Sequence, residues 1–119
     1  MPYYLYMKSL ASRQVLDVSK MNWHGLSFHD GATFLDLTVG KNIFPNAVID
    51  IQNVFSDIIL RLPKSLKVTL LYQDKFSLKT LPDFVETTKG VFVAHPDLPL
   101  ELRLNVAVGL GRVTVIWTD

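Results

Sequence analysis

Across residues 102–117 apolar side chains alternate with polar or small ones at Leu102, Leu104, Val106, Val108 and Leu110, and alternate again at Val113, Val115 and Trp117. The two runs are out of phase by one residue, and the change falls across Gly109, Leu110, Gly111 and Arg112. Because successive side chains of a strand point to opposite faces, the stretch reads as strand, corner, strand. The same word recurs upstream. With Ser56 set over Gly111, the residues Ile49, Ile51, Ile58, Leu60 and Leu62 fall on Leu104, Val106, Val113, Val115 and Trp117. With Gly31 set over Ser56, Thr33, Leu35 and Leu37 fall on Ile58, Leu60 and Leu62. Weaker copies centre on Asp74, with Phe76 and Leu78, and on Gly90, with Phe92 and Ala94.

A word repeated at intervals of roughly 20 residues suits a solenoid, in which no turn buries its apolar face alone and each gains a core by stacking on its neighbours. The predicted fold is all-β: a right-handed β-solenoid of about five short rungs over residues 25–119, with corners at Gly31, Ser56, Gly109 and Gly111. Pro45, Pro63, Pro82, Pro96 and Pro99 lie between the strand runs, as expected of residues without a ladder donor. Short strands with frequent turn signals also suit an antiparallel β-sandwich, which is the alternative. Upstream, Tyr3, Tyr6, Met7, Leu10 and Ala11 fall at helical spacing, which predicts an amphipathic helix over residues 3–16. Residues 1–24 are therefore expected to form a helical or irregular cap.

The 119 residues suffice for one domain around one core. Lysine and arginine total 12 against 11 acidic residues, and no basic stripe is interleaved with aromatics, so no nucleic-acid partner is expected. Cysteine is absent, which excludes disulfides, thiolate metal sites and a cysteine nucleophile. No run approaches the roughly 18 apolar residues of a spanning helix. The first residues also lack the basic n-region of a signal peptide, so the chain as given is expected to be soluble.

Candidate chemistry is sparse. His24, His29 and Asp30 cluster in sequence near Asp17, but His95 lies far along the chain, and a metal site takes three or four converging ligands. Ser19, Ser27, Ser56, Ser65 and Ser77 carry no flanking motif of base and orienting acid. Asp36, Asp50, Asp57 and Glu101 are the carboxylates from which a glycosidase pair would be drawn. Asp36 and Asp50, however, alternate with apolar neighbours as outward, solvated residues do. Gly109 and Gly111 precede neither a helix pattern nor a P-loop lysine, so they read as a turn and not as a phosphate cradle. No catalytic, cofactor or metal residue is expected. Tyr72, Lys75 and Phe76, with lysines around them, are the candidate interaction surface. Open strand edges predict a homo-oligomer.

Several of these stretches together resemble the C-terminal domain of LiaF-type proteins, the cell-wall-active antibiotic response family that regulates the bacterial envelope-stress response. They are residues 31–38, Ile43, Phe44 and Pro45, then Ile49, Asp50 and Ile51, then residues 56–63 and 106–115. Ala32, Ser56 and Arg112 depart from the family pattern, standing where it has an acid, a glycine and an acid. The resemblance implies a non-catalytic regulatory module at the cell envelope that restrains a sensor histidine kinase of a two-component system. Membrane association would run through segments outside this chain. The related putative-adhesin β-solenoid domains share the same repeat grammar. The alternative function is a carbohydrate-binding or carbohydrate-active β-domain at the envelope.

Overall fold

The computed structural model describes residues 4–20 and 22–118, with side chains described for residues 13–20, 22–73 and 78–118. Seven strands make one mixed sheet: β1 (Tyr4–Asp17), β2 (Gly25–Thr38), β3 (Ala47–Pro63), β4 (Lys67–Thr80), β5 (Val85–Thr88), β6 (Val91–Ala94) and β7 (Glu101–Thr118). Their order in space is β1-β2-β3-β7-β4-β6-β5. The first five in that order are parallel, and β6 runs antiparallel to both β4 and β5. The chain is all-β, with no helix among the described residues.

The long strands cannot be straight. A flat strand of 17 residues would be about 56 Å long, and the Cα trace is only 35 Å in its longest dimension. The bend shows in the burial pattern. Ile49, Ile51 and Asn53 of β3 are buried, Val54 and Phe55 are exposed, and burial resumes out of phase at Ser56, Ile58, Leu60 and Leu62. In β2 the inner residues are Leu26, Phe28 and Asp30, then Thr33, Leu35 and Leu37; in β7 they run Leu102 to Val108, then Val113 and Val115. One reversal per strand lets both halves aim at one core.

Register stacks the inner residues into rows. Leu26, Ile49, Leu104 and Leu70 make one, and Leu37, Leu60 and Val115 another. Residues 64–66 alone join β3 to the parallel β4, so the end of one strand lies within about 14 Å of the start of the other. The loops add Val18, Trp23, Val39, Ile43 and Leu66 to the core. Fully burying an aliphatic side chain is worth about 1.5–3 kcal/mol, so these rows supply the main force for folding. At the β4 side, Lys79 lies 4.9 Å from the Tyr72 ring centroid. The Trp117 indole donates to the Pro82 carbonyl at 2.8 Å and stacks on Phe84, which holds the chain leading into the short hairpin of β5 and β6.

Four expectations are corrected. Residues 3–16 were expected as a helix, whereas 4–17 form β1, paired in parallel on β2; the strand register sets Leu5 and Met7 opposite Leu26 and Phe28, a period-two match that the helical spacing hid. Gly31 does not stack on Ser56, since Thr33 does, a slip of two residues that keeps every side chain on its face. Gly90 is the positive-φ turn of the antiparallel β5–β6 hairpin and not a parallel corner. Finally, the repeated stretches do not stack in the order in which they occur in the chain: β7, which carries residues 102–117, is inserted between β3 and β4.

Ser56 and Gly111 are paired at the bend, as the repeat predicts. Gly109 packs against Val54, two residues earlier, and Gly31 falls at the same level on β2. The inner side of the bend is polar: Asn53 accepts from the Asp30 amide at 3.0 Å and donates to Ser56 Oγ at 2.9 Å, and Ser56 Oγ donates to the Thr33 carbonyl. Gly111 has φ +143°, and a Cβ there would lie 1.7 Å from the Ser56 carbonyl oxygen. Gly111→Ala should destabilise the protein by about 2–4 kcal/mol, through backbone strain and separation of β7 from β3. Urea unfolding reads this directly, and a change within about 0.5 kcal/mol would contradict the close approach.

Candidate functional site

Between the walls of β3 and β4, the outer face of β7 carries small or short side chains from Asn105 to Gly109. Asn105 is flanked by Asp50 and Leu71, Ala107 by Gln52 and Gln73, and Gly109 by Val54. The result is a shallow trough over β7. One part, of about 530 Å³, is lined by Gln52, Val54, Gln73, Ala107 and Gly109. The other, of about 300 Å³, is lined by Asp50, Gln52, Leu71, Gln73, Asn105 and Ala107. They share Gln52, Gln73 and Ala107 and so are continuous.

Asp50 Oδ2 is held by His29 Nε2 at 3.2 Å and by the Gln52 amide at 3.5 Å. On the other side, β4 is fixed to β7 just below the trough. Thr69 donates to Glu101 Oε2 at 2.7 Å, with Lys67 at 3.7 Å from the same oxygen and Arg103 at 3.3 Å from Oε1. Beyond the bend, Val54, Phe55 and Leu110 are exposed.

The predicted chemical residues are dispersed. Asp36 forms a two-point pair with Arg61 on the outer face of the second strand halves, at 3.0 and 3.2 Å. That hydrogen bond raises the Arg61 pKa. Asp36 thus lies on the opposite side of the bend from Asp50. His24 stacks on Phe44, with ring centroids 4.1 Å apart. His95 donates through Nδ1 to the Leu66 carbonyl at 3.1 Å and lies against Trp117. No three His, Asp or Glu side chains converge among the described residues. Of the expected interaction surface, Tyr72 is a core residue, 6% exposed in the inner row with Val106. That corrects its assignment to the surface: it shares the parity of Val68 and Leu70 on β4. Lys75 and Phe76 lie on β4, Phe76 opposite Leu110, and their side chains are outside those described. The trough was missed because its floor is defined by absent bulk on a strand whose neighbours are not consecutive in the chain.

A solved structure shares this fold. It is the crystal structure of a putative cell adhesion protein from Clostridium sporogenes ATCC 15579, superposing with a TM-score of 0.85 at 19% identity. The match covers 97% of this chain and 56% of that one. No family model and no curated protein matches the sequence, so the LiaF-type resemblance rests on the order of motifs alone.

The anchor of the β4 wall has a pH signature. The Thr69 hydrogen bond, helped by Arg103 and Lys67 and opposed by burial, holds the Glu101 carboxyl below its ordinary value of 4.5. Its contribution to stability is present above the unfolded value and is lost as pH falls through the lower folded one. In Thr69→Val the Glu101 midpoint, followed by carboxyl carbon NMR, should rise toward 4.5. A midpoint that does not move would remove Thr69 as the cause.

Proposed function

We propose that this chain is a non-catalytic binding module of β-solenoid architecture, working at the cell envelope and presenting the β7 trough to its ligand. Support for the solenoid comes from the parallel registers, the shared bend and the three-residue return from β3 to β4. Support for binding comes chiefly from the trough, a continuous depression of several hundred cubic ångströms whose walls belong to two strands fixed against one floor. The carboxylates and histidines are dispersed or engaged in pairs, which favours binding over turnover.

The motif order shared with LiaF-type regulators supports a protein partner, a sensor histidine kinase. The likeness to the cell adhesion protein supports a ligand at the surface instead. A trough with amide side chains in both walls favours the adhesion-type reading. Homo-oligomer formation through the open edge of β1 belongs to the same proposal.

Ala107→Trp fills the trough from its floor while leaving the core rows unchanged. Immobilised wild-type protein should retain envelope material from bacterial extracts, the variant should retain at least tenfold less, and both should unfold at the same urea concentration. Equal retention by the two proteins would reject the trough as the binding surface, and release of hydrolysed product would reject the non-catalytic reading.

A further inference from the structure

We infer that the ligand of the β7 trough is an uncharged, polyhydroxylated chain, that is, a neutral glycan, gripped between Gln52 on β3 and Gln73 on β4. The inference rests on the proposed binding role of this trough and assigns its ligand class. Gln52 and Gln73 lie at the same level on either side of Ala107, two strand spacings apart, about 9.5 Å. That leaves room for one chain of rings between two hydrogen-bonding arms. One level along, Asn105 and Asp50 add a third amide and a carboxylate.

The chemistry of this set selects among ligands. A primary amide offers two donors and two acceptors, which matches hydroxyl groups that themselves donate and accept. Among the described lining residues there is no lysine or arginine, and the only charged group is Asp50. Anions such as phosphates or uronates would meet the Asp50 carboxylate, with no lysine or arginine among the described lining residues to offset it. A cation would find a single carboxylate whose Oδ2 is already engaged by His29 and Gln52. A wholly apolar ligand would strip water from three amides without replacing their hydrogen bonds, a cost of about 1–3 kcal/mol for each buried group. A peptide strand gains its affinity mainly from backbone pairing at a free sheet edge. Here β7 is paired on both sides along the trough, so it offers none. Leu71, Val54 and Ala107 supply the apolar contacts for C–H faces of the rings.

The test is a printed array carrying neutral and anionic oligosaccharides, followed by calorimetry with the strongest neutral hit. Wild type should bind neutral glycans, and the double variant Gln52→Ala with Gln73→Ala should bind at least tenfold more weakly with an unchanged melting temperature. Three outcomes overturn the inference: no glycan bound, binding confined to anionic glycans, or a folded double variant that binds as well as wild type. If Ala107→Trp abolishes retention of envelope material while no glycan binds, the binding-module reading stands and the glycan assignment falls.

Discussion

The close approach of two backbones at the bend is the constraint on which the other features depend. Gly111 lies against the Ser56 carbonyl with no space for a side chain, and Gly109 approaches the Val54 carbonyl less closely. This contact lets β7 change faces at the same level as β3. Only with coincident reversals do the inner residues of both strand halves stay in their rows, because a strand that turned one residue early would put its apolar set in water. Gly109 also leaves the outer face beyond Ala107 low. Core register and surface trough therefore follow from one local geometry.

Register is also what the sequence reveals most reliably, though unevenly. The pairing of Ser56 with Gly111 was legible because both strands carry long apolar runs on each side of a phase change, which admit one alignment. For β2 the alignment slipped by two residues: leucine, isoleucine and valine are interchangeable in such rows, and a shift of two preserves facing. The hydrogen bonds of Asn53 to Asp30 and of Ser56 to Thr33 mark the true level, and these are polar details inside a hydrophobic pattern.

Other features were hidden for different reasons. In β1 a helical set of apolar positions coexists with a strand set, and it is the parallel ladder offered by β2 that selects the strand. Residues 85–94 contain a glycine followed by valine and phenylalanine, which looks like another copy of the corner, but four-residue strands around a positive-φ Gly90 close as a hairpin. Insertion of β7 between β3 and β4 has no local marker, since the neighbours of a strand in a sheet are not specified by its own alternation of apolar and polar residues. The trough inherits that illegibility. Gln52, Ala107 and Gln73 are distant in sequence, and each alone is an ordinary outward residue of a strand.

Everything proposed for the trough requires β7 to lie in parallel register between β3 and β4. Nuclear Overhauser spectroscopy on labelled protein tests that placement most directly. The account predicts cross-peaks from the Ala107 backbone to residues next to both Gln52 and Gln73, with no short Hα–Hα contacts between these strands. Contacts from Ala107 to only one of the two, or Hα–Hα contacts typical of antiparallel neighbours, would contradict it.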